Sequence, residues 1–194
     1  MASVVPAPGK IKTFRTDEAF ESWMRKNHAR EREVWLRIYK KGSAVASITI
    51  AEALDVVLCW GWIDGIRKAF DERSYLQRYT PRRAKSIWSQ INREHVARLT
   101  KAGRMTPHGQ RHVDAAKADG RWAAAYDSGR TMTMHEDFVA ALEANPKAKA
   151  FWETLNKTNT YAFNFQIQTA KKPETRTARI TKIIAMLNDG KALY

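Results

Sequence analysis

The stretch TPRRAKS, residues 80–86, brings two arginines to a predicted change from strand to helix. The guanidinium groups of Arg82 and Arg83 can each bind a carboxylate or a phosphate through two parallel hydrogen bonds. A helix that begins here would add unpaired backbone N–H groups and the positive end of its dipole, and Ser86 would add a hydroxyl. This stretch therefore predicts a binding site for an anion.

Other residues are predicted to surround this site because the elements that carry them end near it. Two lysines follow a predicted strand, an Asp-Gly turn brings a carboxylate, and three tryptophans supply apolar walls or fill the core. Asp64 is either an acid–base group or an arginine's partner in a structural salt bridge, and the second interpretation is favoured. The predicted ligand-binding set is Lys40, Lys41, Trp60, Trp62, Asp64, Arg67, Arg82, Arg83, Ser86 and Trp88.

The cysteine and the histidines give weaker chemical signals. Cys59 lies in the apolar run VVLCW without an accompanying base, so we expect it to be buried and dispensable. His95 is spaced with apolar residues and is predicted to be a core histidine. His108 and His112 have the i, i+4 spacing of a helical metal pair, but no third ligand accompanies them. The sequence predicts no metal and no cofactor, and it leaves open whether the chain is an enzyme.

Positive charge dominates the composition, with 34 Lys and Arg against 20 Asp and Glu, a net charge of +14 and a pI near 10.1. Such a surface attracts anions of every size. Basic residues are concentrated between Arg78 and Arg104, where Glu94 is the single acid. This run is either a solvated face or a nucleic-acid surface. The predicted partner is an anionic small molecule, and nucleic acid bound by the basic helix 82–104 is the alternative.

The cysteine count and the N-terminal sequence suggest the compartment. A single cysteine excludes an intramolecular disulfide, which fits a reducing, cytoplasmic setting. The segment MASVVPAPGK lacks the pattern of a secretory signal. The apolar run IAEALDVVLCWGWI is short and contains Glu52 and Asp55, so no membrane span is predicted. The oligomeric state cannot be derived from these features.

The elements that would position the site follow from hydrophobic patterning. EVWLRIYKK alternates apolar and polar residues, which predicts a strand. Thr49 and Glu52 predict a capping box at the start of a helix, which then ends at the turn Asp64-Gly65. The runs IRKAF and YLQRYT, joined by DERS, predict a β-hairpin that Pro81 terminates.

The remaining chain is predicted to be mainly helical. A helix from about residue 86 to residue 101 would place Ile87, Trp88, Ile91 and Leu99 on its apolar side. YAFNFQIQ alternates as a strand would, although it lies between helical segments. We therefore expect an α+β fold with a small antiparallel sheet in residues 10–128, followed by an all-helical tail in residues 129–194. The loop around Ser128–Thr133 is the predicted boundary.

Several motifs in order carry a resemblance to a known family. These motifs are CWGWIDGIRKAFDERSYLQRYTPRR, then SIWSQIN, LTKAGRM and, far downstream, TAKKPETRTARI. They are similar to the YdeI/OmpD-associated family, also called the bacteriocin-protection family. The resemblance extends from about Phe14 to the last helix. It implies a bacterial α+β domain and a helical OmpD-associated-type tail in which YAFNFQIQ is a helix. It implies no particular reaction and no catalytic residues.

Three function classes follow from the residues and the resemblance together. The first is a soluble bacterial protein with a small-molecule anion pocket, linked to stress resistance against antimicrobial peptides or bacteriocins. The second is the nucleic-acid-binding protein described above. The third is an interaction protein in the same stress response, acting through a partner because a chain of net charge +14 would repel cationic peptides. The first class is preferred because large aromatics such as Trp88 are predicted to pack inside rather than to stack on bases.

Overall fold

The computed structural model describes residues 6–129 and 131–194. These residues form two compact units, one of residues 6–88 and 92–124 and the other of residues 89–91, 125–129 and 131–194. The predicted linker Ser128–Thr133 includes Arg130, which lies outside the described residues, so the boundary at residue 128 stays a prediction. The segment used to predict targeting likewise includes residues 1–5, outside the described residues.

The first unit is built around a mixed four-stranded sheet. Up to residue 124, the helices and strands in chain order are a short 3-10 helix Pro8–Lys10, β1 Ile11–Lys12, α1 Asp17–Asn27, β2 Val34–Tyr39, α2 Ile50–Cys59, β3 Trp62–Asp71, β4 Ser74–Pro81, α3 Gln90–Lys101 and α4 Pro107–Ala118. The strand order is β1-β2-β4-β3. The α+β fold class is confirmed, although β1 runs parallel to β2 and the sheet is therefore not purely antiparallel.

The predicted hairpin is confirmed, with antiparallel pairing between β3 and β4 and with Glu72 and Arg73 in the connecting turn. β4 also pairs antiparallel with β2, the strand predicted from EVWLRIYKK. Val34, Leu36 and Ile38 on β2 are buried, as expected for a strand with an apolar face. The neighbouring Trp35 is buried as well.

The capping box of α2 is present as predicted. The Thr49 hydroxyl accepts a hydrogen bond from Glu52 N at 3.2 Å, and the Glu52 carboxylate accepts one from Thr49 N at 2.8 Å. The predicted end of this helix is wrong, because α2 already ends at Cys59. Gly61 then adopts a φ of +73°, a conformation that favours glycine.

Asp64 and Gly65 lie inside β3 and not in a turn. Between Asp64 and Arg67 the register with β4 shifts by one residue, which is a β-bulge. The side-chain amide of Gln77 donates to the carbonyl oxygen of Gly65 at 2.9 Å and stabilises this bulge. Asp-Gly is typical of turns, but a bulge also uses glycine, and the local sequence does not separate the two.

The predicted helix from residue 86 is also wrong at its start, because α3 begins at Gln90. Residues 82–89 form an irregular connection, so Arg82, Arg83 and Ser86 do not lie at a helix N-terminus. Ile87 and Ile91 are exposed. The buried face of α3 consists of Asn92, Val96 and Leu99. The dipole argument for an anion site at TPRR therefore fails.

The second unit is helical, as predicted for the tail. Its helices are α5 Glu136–Glu143, α6 Pro146–Glu153, α7 Lys157–Gln168 and α8 Pro173–Asn188. They bury one apolar cluster formed by Phe138, Leu142, Ala148, Phe163, Ile167, Ile180, Ile183, Ile184 and Leu187.

The ambiguous segment YAFNFQIQ is helical and lies in α7. Its apolar and polar residues alternate, yet the buried positions of α7 are Asn159, Phe163 and Ile167, every fourth residue. Asn159 accepts hydrogen bonds from the backbone N–H groups of Leu193 and Tyr194 at 2.9 and 3.0 Å. Helical spacing of the buried residues thus overrides the visible alternation.

Candidate functional site

A cleft of about 220 Å³ lies in the first unit, where the ends of several elements meet. We call it the histidine cleft. Its lining residues are His28, Ala29, Trp60, Gly61, Trp62, Pro81, His108, Arg111 and His112. They come from the end of α1, the connection from α2 into β3, the end of β4 and the first turns of α4.

The start of α4 is held against the end of α2 by Thr106. Thr106 is the N-cap of α4, and its side chain accepts a hydrogen bond from Gly109 N at 3.3 Å. Its hydroxyl also lies 2.6 Å from the carbonyl oxygen of Cys59 and donates to it. This contact fixes the direction in which α4 presents its first-turn side chains.

Gly61 allows the two elements to approach each other closely. A Cβ atom at this position would lie 2.6 Å from Cδ2 of His112 and 2.8 Å from the carbonyl oxygen of His108. Side chains other than hydrogen therefore do not fit here, and the imidazole of His112 packs directly over the backbone. Glycine is therefore required at this position both by the positive φ angle and by the close contact with α4.

Aromatic rings from three elements contact one another in the cleft. The ring centroids of His28 and His108 are 4.2 Å apart, and those of His28 and Trp60 are 4.7 Å apart. The indole of Trp60 is nearly parallel to His108 at 5.9 Å. Trp62 donates from Nε1 to the carbonyl oxygen of His28 at 3.2 Å. These contacts fix the orientation of the His28 ring.

Positive charge surrounds the cleft, and none of the described residues that line it carries a carboxylate. Arg111 is exposed, and one of its nitrogens lies 3.2 Å from Nδ1 of His108. Desolvation, together with the charges of His28 and Arg111, lowers the pKa of His108. Desolvation also lowers the pKa of His112, and the charges of Arg82, Arg111 and Arg121 act in the same direction.

Two buried nitrogen atoms at the cleft have no hydrogen-bond partner in the part of the chain that the structure describes. They are Nε1 of Trp60 and Nε2 of His28. Trp60 is 9% exposed, and both residues belong to the lining of the cleft. Buried polar atoms are nearly always paired in native proteins. Two such atoms beside one cleft are what a bound hydrogen-bonding ligand would satisfy.

The structure brings only two of the predicted ligand-binding residues, Trp60 and Trp62, into this cleft. Arg82 lies behind it, where its backbone N–H donates to the Gly61 carbonyl oxygen at 3.0 Å. Arg82 is only 4% exposed, and its guanidinium lies 3.6 Å from the ring centroid of Trp88. Its charge supports the cleft electrostatically, because it acts on His112.

Four other predicted residues lie elsewhere in the first unit. Lys40 and Lys41 line a separate cavity of about 700 Å³ beside the connection from β2 to α2. Arg83 is exposed, and its backbone N–H donates to the hydroxyl of Ser86 at 3.1 Å. The histidine cleft does not include these residues in its lining.

Asp64 and Arg67 both lie on the edge strand β3. Arg67 donates from Nε to the side chain of Gln77 at 3.1 Å and stacks over Tyr75. Desolvation raises the pKa of the Asp64 carboxyl, while its own backbone N–H and the charges of Arg82 and Arg67 oppose that rise. Asp64 is nevertheless exposed, and water screens the charges around its carboxyl.

Sequence patterning missed the polar residues of the cleft, namely His28, His108, Arg111 and His112. A weak signal was present, because HGQRH places His108, Arg111 and His112 at i, i+3 and i+4 on one helix face. That spacing alone is typical of a pair of metal ligands and does not indicate an anion site. In the described chain no group of three or more His, Cys, Asp or Glu is arranged to hold a metal ion.

Cys59 is buried as predicted, at 2% exposed. Burial raises the pKa of its thiol to about 11. Both properties suppress thiolate chemistry, because the thiolate is the reactive form. We expect the native protein to react with a maleimide at least about a hundredfold more slowly than the protein unfolded in denaturant. Comparable rates in the two states would show that Cys59 is accessible.

His95 is half-buried rather than fully enclosed, and it lies outside the cleft lining. Its Nδ1 is 2.7 Å from a carboxylate oxygen of Asp55 on α2. Arg98, one turn further along α3, donates to both oxygens of the same carboxylate at 2.6 and 2.7 Å. This cluster joins α3 to α2.

Two family models match this chain. Residues 12–112 match the model described as Domain of unknown function (DUF8412), and residues 131–190 match the one described as Bacteriocin-protection, YdeI or OmpD-Associated. The resemblance to the second family is thus confirmed for the helical tail, whereas most of the first unit matches the other model.

The family assignment rests on these two models. Comparison with curated proteins and with solved structures gave no match. Among the helices of the described residues, none is long and apolar enough to cross a membrane. The chain therefore belongs to the family described as a domain of unknown function (DUF8412), and its residues 131–190 are similar to the family described as Bacteriocin-protection, YdeI or OmpD-Associated.

Proposed function

We propose that this protein binds a small carboxylate- or phosphate-bearing molecule in the histidine cleft. The observation that carries the proposal is the buried N–H of Trp60, which has no hydrogen-bond partner among the described residues and lies in a cleft whose described titratable lining residues are histidines and an arginine. An oxyanion accepts hydrogen bonds and carries negative charge, so it complements both features. The predicted anion pocket thus moves from TPRR to the cleft beside it.

The size of the cleft limits the ligand. One water molecule takes about 30 Å³ of liquid, so about 220 Å³ corresponds to roughly seven waters. A ligand that fills this volume has on the order of ten non-hydrogen atoms. A small carboxylate, an inorganic oxyanion or a short phosphate ester fits within this volume, whereas a mononucleotide would extend out of the open cleft.

Part of the basic run predicted as a nucleic-acid surface is engaged within the protein. Arg98 is paired with Asp55, and Arg104 lies within 4 Å of carboxylate oxygens of Asp17 and Glu21. Trp88 is buried and cannot serve as a stacking platform for bases. These contacts favour a compact anion site over a nucleic-acid surface.

The family description suggests the setting in which the site works. Our proposal includes a contribution to protection against bacteriocins, made through the bound anion rather than by capture of a cationic peptide. A net charge of +14 would repel such a peptide. An anionic metabolite, in contrast, would be attracted by the same charge.

The experiment is calorimetric titration with sulfate, comparing the wild type with Arg111→Ala. Arg111 lines the cleft and is exposed, so its truncation leaves the core intact. Loss of one charge-assisted hydrogen bond should raise the dissociation constant at least about tenfold. Arg25→Ala is the matched control, because this exposed arginine on α1 is not among the lining residues. We expect its effect to stay below about twofold.

A second titration with a short DNA duplex at two salt concentrations separates the alternatives. Nucleic-acid binding would weaken steeply with salt, because condensed counterions are released. If Arg25→Ala and Arg111→Ala weaken sulfate binding equally, a diffuse basic surface binds the anion and the cleft is not the site.

A further inference from the structure

We propose that an anion enters the histidine cleft together with one proton, which binds to Nε2 of His28. The inference rests on the proposed anion binding and specifies how pH would control it. It starts from the hydrogen bonds of a single ring. The consequence is that the anion is retained in mildly acidic surroundings and released as the pH rises.

The tautomer of His28 is set by the backbone of α1. Nδ1 lies 3.0 Å from the carbonyl oxygen of Met24. A carbonyl oxygen can only accept a hydrogen bond, so Nδ1 carries the hydrogen. A neutral imidazole has one N–H, and Nε2 therefore holds a lone pair. His28 N also donates to Met24 O at 2.8 Å, which fixes the residue as the C-cap of α1.

In this tautomer the buried Nε2 of His28, a residue of the cleft lining, would present a lone pair to a bound anion. Lone pair and oxyanion repel each other, and the atom has no other hydrogen-bond partner among the described residues. Protonation converts Nε2 into a donor and adds a positive charge. The same atom thus repels the anion when it is neutral and donates a hydrogen bond to it when it carries a proton.

The titratable and charged groups in the described lining of the cleft are all histidines or arginines. From α4 the titratable and charged groups at the cleft are His108, Arg111 and His112, while the residues from α2, β3 and β4 that line it are uncharged. No carboxylate in the described lining would compensate a protonated His28. A bound oxyanion supplies that compensation, so proton uptake and anion binding favour each other.

Sulfate is a suitable probe because it stays a dianion throughout the range in which histidines titrate, about pH 5 to 8. Calorimetry in two buffers with different heats of ionisation gives the number of protons taken up per sulfate. We expect about one proton, and an affinity that falls by up to about tenfold per pH unit as the pH rises.

His28→Gln keeps an N–H donor but cannot titrate. In this variant we expect proton uptake to fall to nearly zero, whereas His112→Gln should retain it. Retention in His28→Gln, or its loss only in His112→Gln, would assign the proton to another ring. Nitrogen NMR of the wild type tests the tautomer without any substitution, because the two ring nitrogens of neutral His28 give distinct shifts.

The outcomes separate this inference from the proposed function. Sulfate binding in the cleft without proton uptake would overturn the inference and leave the anion site standing. No sulfate binding at any pH would overturn both. A neutral His28 that carries its hydrogen on Nε2 would also contradict the inference, since a donor would then be present without protonation.

Discussion

Gly109→Ala should destabilise the first unit by about 3 kcal/mol, a large effect for the addition of one methyl group. A Cβ atom at Gly109 would overlap the carbonyl oxygen of Cys59. It would also lie 2.7 Å from the Leu58 oxygen and 2.8 Å from the Cys59 carbonyl carbon. All of these are backbone atoms at the end of α2, and they cannot rotate away. The first turn of α4 would have to move outward.

The sign of this effect is opposite to the usual one. In a helix with free space, replacing glycine by alanine stabilises by up to about 1 kcal/mol, because alanine restricts the unfolded chain. Denaturant unfolding measures the difference. Gly9→Ala is the matched control, since no atom lies within 4 Å of the added Cβ, and we expect a change within about 0.5 kcal/mol. A Gly109→Ala protein as stable as the wild type would contradict the close contact between α2 and α4.

The same substitution should reduce anion binding. His108 and His112 lie on either side of Gly109 in the first turns of α4, so an outward movement carries both rings away from His28. Titration of the folded protein with sulfate measures the expected loss of affinity. Unchanged affinity in a folded but destabilised Gly109→Ala protein would show that the cleft does not need the α2–α4 contact.

Asp55→Asn should lower the free energy of unfolding by about 2–3 kcal/mol at neutral pH. Asp55 is 8% exposed, and its carboxylate accepts hydrogen bonds from His95 and Arg98. Asparagine offers one acceptor oxygen and no charge, and its NH2 group would face two donors. The single amide oxygen can then serve only one of the two donors, and the NH2 group is left in a largely buried position without an acceptor.

This effect should depend on pH in a defined direction. Desolvation alone would raise the pKa of Asp55, but the hydrogen bonds and charges of Arg98 and His95 outweigh it and lower that pKa below the ordinary 3.8. A depressed carboxyl pKa contributes stability above the unfolded value and loses it as the pH falls through the folded value.

The stability difference between the wild type and Asp55→Asn should therefore be constant above about pH 5 and shrink below about pH 4. Unfolding curves across this range test it. Asp114→Asn is the control, because this exposed carboxylate on α4 accepts a hydrogen bond at 2.7 Å from the side chain of Gln110, one turn earlier on the same helix. We expect it to change stability by less than about 0.5 kcal/mol. A difference that persists unchanged to the most acidic pH would mean that the ionised form of Asp55 is not favoured by folding.

Local patterns predicted those parts of the fold that depend on neighbours in sequence. The alternation of β2, the hairpin of β3 and β4 and the capping box at Thr49 each follow from residues within one element. The start of α3 could not be predicted in this way. The stacking of Arg82 on Trp88 and its hydrogen bond to the Ile87 carbonyl oxygen hold residues 82–89 in an irregular path.

The candidate site was the least predictable part, because its groups are far apart in the chain. His28 and His108 are 80 positions apart, and their rings lie 4.2 Å from each other only after α1 and α4 have packed. No motif marks His28, and the spacing within HGQRH marks His108 only weakly. Trp60 and Trp62 could be predicted as apolar walls because a pocket needs aromatic side chains, and both of them lie in the lining of the cleft.

The buried side chain of Gln77 also constrains how the hairpin can form. Its amide donates to Gly65 O, and its oxygen accepts from Arg67 Nε, so both ends are satisfied only when β4 meets β3 in the native alignment. A slip of one residue would turn Gln77 to the opposite face and forfeit these bonds, at about 1–3 kcal/mol for each buried group left unpaired. Misaligned hairpins are thereby disfavoured during folding, so one polar residue in the sheet selects the correct strand pairing.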